Sequence, residues 1–135
     1  MSVSDWRDET RTDLKDAEDR IVALIAEISG EPTKEQVHSI WLSYLDVEKS
    51  VVFIKVEIDE ENPGRFVNLK QYSVPDERQA LQFALRNLRK GSESFAMGDY
   101  KRSLHELREA RNYLRLTLRT KRRVKTKEAK ASRTR

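Results

Sequence analysis

The sequence predicts an α+β domain that is mainly helical, with about four helices, one antiparallel β-hairpin and a disordered basic C-terminal tail. Three observations carry that expectation. Apolar residues recur at steps of three and four across 76–123, the pattern of helices with one buried face. From Ser50 the apolar period changes to two, the pattern of a strand. After Arg123 only Val124 and two alanines remain among basic and small polar residues, with almost nothing to bury. The 135 residues suffice for one cored domain, expected over 1–123, followed by a tail over 124–135. With 37% charged and 7% aromatic residues the core must be economical, which suits helices.

Ser4 is the expected N-cap of the first helix, and Asp5, Asp8 and Glu9 complement the positive end of its dipole. Gly30 as the residue after the cap, with Pro32 behind it, places the end of this helix near Ser29. Leu14, Ala17, Ile21, Leu24 and Ile28 form a heptad seam that Ile25 widens. Such a seam packs on its own domain or pairs two copies of the chain. Leu14, Ile21, Leu24 and Ile28 are therefore the candidate partner interface as well as candidate core.

Thr33-Lys34-Glu35-Gln36 reads as a capping box that opens a second helix over about 34–47. Val37, Ile40, Trp41, Tyr44 and Leu45 follow at helical spacing, and the large ring of Trp41 is expected in the core. The hairpin is expected over about 50–74. Val52, Ile54, Val56 and Ile58 face one way, Asn62-Pro63-Gly64 supplies turn chemistry, and Arg65–Val74 returns through Val67 and Leu69. Its open edges would be guarded by Lys55 or Lys70.

Pro75-Asp76-Glu77 opens a third helix, lined by Leu81, Leu85, Leu88, Ser92 and Phe95. Met97-Gly98-Asp99-Tyr100 then breaks it: Gly98 accepts the left-handed conformation and Asp99 caps the next helix. Leu104, Leu107, Ala110, Leu114 and Leu118 line the fourth, so the pair over 76–123 is expected to pack antiparallel, stripe against stripe. Gly91, Phe95, Gly98-Asp99-Tyr100, Leu104, Leu107 and Ala110 together resemble a single tetratricopeptide motif over 84–115. Asn87, Lys90, Ser103 and Arg115 depart from that family's pattern, and no second copy lies one period away. The resemblance, shared with small bundles of the microtubule-interacting-and-trafficking type, implies a helical hairpin and no peptide groove.

With no cysteine, neither a disulfide framework nor a thiolate zinc site can form. No apolar run approaches the roughly 20 residues of a membrane span, and Met1-Ser2-Val3-Ser4-Asp5 does not begin a signal peptide. The expectation is an intracellular, cytoplasmic protein, with a charged-rich composition like that of thermophiles. The two histidines, His38 and His105, stand apart with no neighbouring motif; single glycines replace any phosphate loop. Asp59, Glu60 and Glu61 lack the ligand order of a calcium loop. No enzyme, metal or cofactor is expected.

Charge carries the functional signal. Residues 1–35 hold a net −5, whereas 111–135 hold eleven bases against one acid, a net +10. Arg108, Arg111, Arg115, Arg119 and Arg122 step by three and four, placing five guanidiniums on one helix face suited to phosphate. Lys121, Arg123, Lys125, Lys127 and Lys130 extend the charge, and Tyr113 lies where it can stack on a base. These residues point to a non-catalytic protein that grips the RNA or DNA backbone. The alternative is a protein–protein adaptor or homo-oligomer built on the helical hairpin and the heptad helix, with an acidic protein or a second copy as partner. A membrane partner is not expected, because no bulky apolar residue follows Val124.

Overall fold

The computed structural model describes residues 3–59, 74 and 76–133, and side chains within 6–59, 74 and 76–118. Four helices make up the fold: α1 (Val3–Glu27), α2 (Lys34–Glu57), α3 (Glu77–Ala96) and α4 (Tyr100–Arg133). They form a bundle in which α1 packs on α2, α2 on α4, α4 on α3 and α3 back on α1. The pairs α1/α4 and α2/α3 therefore lie across the diagonals. Neighbours run antiparallel. Arg7 of α1 reaches Glu57 of α2, while Arg20 reaches Asp46. Trp6 meets Phe95 of α3 edge-on at 5.8 Å, Glu18 meets Arg89, and Arg78 donates to the Ile28 carbonyl.

The expected α+β class is overturned: among the described residues there is no strand, and the first half of the expected hairpin is helix. Residues 60–73, which hold the expected turn and most of the second strand, lie outside the described residues. The alternating run from Ser50 to Ile58 also contains a helical stripe. Val47, Ser50, Val51 and Ile54 are buried, and Ile58 packs against the same core. No glycine or proline separates Thr33 from Asn62, so nothing ends the helix that the capping box starts. That box is present, with Gln36 N donating to Thr33 Oγ1 at 3.2 Å and Thr33 N donating to Gln36 Oε1 at 2.9 Å. α2 ends where Asp59 takes a positive φ of 53°.

Three smaller expectations are corrected as well. α1 begins at Val3, so Ser4 lies in its first turn rather than at its cap. α3 begins at Glu77 behind the N-cap Asp76, which accepts from Gln79 N at 2.8 Å, so its first turn does not include the proline expected there. The tail expected to be disordered is helical backbone as far as Arg133, since nothing after Gly98 breaks a helix and its lysines, arginines and alanines favour one.

The core runs the length of the bundle. Leu14, Ala17, Ile21, Leu24 and Ile28 of α1 meet Ile40, Val47 and Ile54 of α2, with α3 and α4 closing the other side through Leu81, Leu88, Phe95, Leu104, Leu107 and Leu114. Trp41 is not among them: its ring is exposed on the outer side of α2. Leu14, Ile21, Leu24 and Ile28, the candidate partner interface, are buried in the chain's own core and form no surface seam.

α3 and α4 approach most closely at Gly91. A Cβ there would lie 2.7 Å from Leu107 Cδ2 and 3.3 Å from its backbone nitrogen, so only glycine allows this crossing without displacement. Ser103 Oγ donates to the Gly91 carbonyl at 2.7 Å and Ser94 Oγ to Glu106 at 2.8 Å, which satisfies the polar groups the crossing buries. Gly98, at φ 80°, turns the chain, and Asp99 Oδ1 accepts from Arg102 N at 3.3 Å. Leu88→Ala and Leu107→Ala are each expected to cost about 2–5 kcal/mol in urea unfolding, because both side chains are fully buried. Losses below about 1 kcal/mol at both sites would mean that the two stripes do not meet.

Candidate functional site

The arginine series on α4 divides where the helix leaves its neighbours. Arg108 is half-buried within the bundle. Arg111 is only 15% exposed at its side chain and holds Glu48 of α2, Nη1 to Oε1, at 3.1 Å. Glu48 also bears on Tyr44, whose hydroxyl is pushed above its ordinary pKa by burial first and by this carboxylate second. Arg111 is therefore a bracket between α2 and α4, not a free phosphate ligand. Tyr113 is likewise committed: its ring stacks on Phe83 of α3, centroids 5.3 Å apart and planes 24° apart. Neither was separable from Arg115 in the sequence, because the periodicity of one face does not reveal which part of it a neighbouring helix covers.

From Arg115, which is exposed, the surroundings change. Tyr113 sits level with Phe83, so Arg119, six residues later, is level with Glu77, the first residue of α3. α4 continues for 14 residues beyond that level, about 21 Å of helix. This stretch carries Lys121, Arg122, Arg123, Lys125, Lys127 and Lys130. Because its backbone is helical, Lys130 and Arg133 fall on the same face as Arg115, Arg119 and Arg122. The side chains from Arg119 onward lie outside the described residues.

The acidic face of α1 lies on the diagonal from α4, and several of its carboxylates pair with other cations. Asp8 pairs with Arg11 at 3.1 Å, Asp19 with Lys15 at 3.2 Å and Glu18 with Arg89 at 2.9 Å. Lys49 of α2 reaches into this face, donating to Glu9 and lying 3.3 Å from Asp13 Oδ2. The Lys49 ammonium is held above its ordinary pKa chiefly by the Glu9 hydrogen bond. Asp13 Oδ2 accepts no hydrogen bond, and burial pushes its carboxyl above the ordinary value despite the lysine.

A carboxyl raised on folding favours the folded state most when protonated, and that advantage is lost as pH rises from the ordinary carboxylate range through the raised folded value. Asp13→Asn removes this ionisation while leaving Glu9 to hold Lys49. The variant is expected to match or exceed the native chain's stability at neutral pH, with a flatter dependence on pH above the ordinary carboxylate range. Denaturant midpoints measured across that range check it; a loss above about 1 kcal/mol at neutral pH would show that the Lys49 pair outweighs burial.

Among the described residues, no group of three or more His, Cys, Asp and Glu is placed to hold a metal ion. In the same residues, no helix is long and apolar enough to cross a membrane. His38 and His105 are both exposed, on different helices. What the sequence reading missed is the outer side of α2, where Trp41, Leu42, Leu45, Val52 and Val56 are exposed; its signal was a helix with apolar residues on two sides, hidden by the assumed strand. No protein-family model, no curated protein and no solved structure matches the chain.

Proposed function

We propose that the chain is a non-catalytic protein that binds the backbone of RNA or DNA through the C-terminal part of α4, from Arg115 onward. The observation that supports this most is a single helix that outruns α3 by 14 residues and carries nine basic residues from Arg115 to Arg133 against one acid, Glu128. Regularly spaced guanidiniums and ammoniums on a helix match the repeated charge of a phosphate backbone, and such contacts carry no base identity. Arg111 and Tyr113 leave the binding set, because Glu48 and Phe83 occupy them. The bundle's role is to anchor the basic helix.

An electrophoretic binding assay with RNA and DNA of unrelated sequence tests this directly. The intact chain is expected to shift both, and deletion of residues 124–135 to weaken both together while thermal unfolding of the bundle stays unchanged. Equal binding by intact and shortened chains would remove the C-terminal helix from the interface. A second reading, association through an apolar face, is favoured by the outer stripe of α2.

A further inference from the structure

α2 is apolar on two opposite sides. Ile40, Val47, Val51 and Ile54 fill the core, while Trp41, Leu45, Val52 and Val56 are 46%, 53%, 50% and 74% exposed on the other side. The exposed four follow steps of four, seven and four, so they form one straight stripe about 22 Å long. In a chain with 37% charged residues, an exposed apolar stripe of that length, interrupted only near its middle by Glu48 and Lys49, calls for cover.

We propose that the cover is a second copy of the chain, with the two α2 helices packed antiparallel about a twofold axis passing beside Glu48 and Lys49. Three observations favour this occupant. The stripe is symmetric about the point between Glu48 and Lys49: Trp41 and Val56 lie equally far from it, as do Leu45 and Val52. An antiparallel copy then sets the large Trp41 against the small Val56 and Leu45 against Val52, twice over, as an isologous contact requires. Both charges that interrupt the stripe are neutralised within the chain, Glu48 by Arg111 and Lys49 by Glu9 and Asp13. Two identical faces therefore meet without unbalanced like charge. Finally, α4 runs antiparallel to α2, so antiparallel pairing sends the two basic ends, each a net +10, to opposite ends of the dimer. Parallel pairing would bring them together.

Sedimentation equilibrium on the full chain without nucleic acid tests the interface independently of any binding to RNA or DNA. The native chain is expected to be a dimer. Leu45→Glu and Val52→Glu should each weaken it at least about tenfold with unchanged circular dichroism, since both positions are already exposed in one chain. Val22→Glu, at an exposed position on α1 away from the stripe, should leave the dimer intact. Because the chain has no cysteine, engineered thiols report the pairing: Leu45→Cys with Val52→Cys in one chain should cross-link under oxidation, and Leu45→Cys alone should not. A native chain monomeric at its highest soluble concentration, a dimer untouched by both glutamates, or cross-linking by Leu45→Cys alone would overturn the proposal.

Discussion

Ile21→Asp is expected to abolish cooperative folding. Ile21 is completely buried between Ala17 and Leu24 on the inner face of α1, and the same cluster includes core residues of α2 and α3. An isolated carboxylate there loses its water and gains no paired charge, a cost of several kcal/mol even after relaxation. A small domain holds only about 5–15 kcal/mol in total, so one such substitution removes most or all of it. Thermal and urea unfolding followed by circular dichroism should show no cooperative transition, or one at far lower denaturant. A well-folded monomeric Ile21→Asp would instead mean that the seam of α1 is a contact between chains. Leu45→Glu supplies the contrast: it also places a carboxylate where an apolar side chain stood, but on an exposed face, and the fold is expected to survive.

At the start of α2 and at the α3–α4 turn, local chemistry was sufficient, although the cap expected at Ser4 was not found. Thr33 and Gln36 marked the start of α2, and Gly98 with Asp99 marked the α3–α4 turn, because caps and turns depend on neighbours along the chain. The heptad steps of α1 identified its buried face correctly but left open whose surface would bury it. The error at Ser50–Ile58 has a specific cause. Val52, Ile54, Val56 and Ile58 satisfy alternation, and β-branched residues favour strands, yet Val47, Val51, Ile54 and Ile58 also repeat at helical steps. Tertiary packing chose the helix, and the missing Gly or Pro after Val47 was the cue that a strand assignment overrode. The same error displaced Trp41 into the core, since a short α2 leaves no reason for an apolar outer face. Arg111 and Tyr113 looked equivalent to Arg115 on a helical wheel; only the position of α2 and α3 along α4 separates them.

Binding of phosphate backbones by α4 from Arg115 onward should show itself in the salt dependence of affinity. Each phosphate neutralised on duplex DNA should contribute about 0.9 to the slope of log affinity against log salt, and about 0.7 on single strands. With six or more of the ten basic residues from Arg115 engaged, affinity should fall by about a thousandfold or more between about 50 and 200 mM salt. Arg115→Ala or Arg119→Ala should each flatten the slope by about one contact, equally on unrelated sequences. Arg111→Ala should leave the slope unchanged and lower stability instead, because that guanidinium is spent on Glu48. Fluorescence anisotropy with labelled duplex DNA and single-stranded RNA across that salt range is the measurement. A steep linear slope that diminishes with each arginine removed from Arg115 onward is expected; no detectable binding of the intact chain at low salt would rule out phosphate binding by α4.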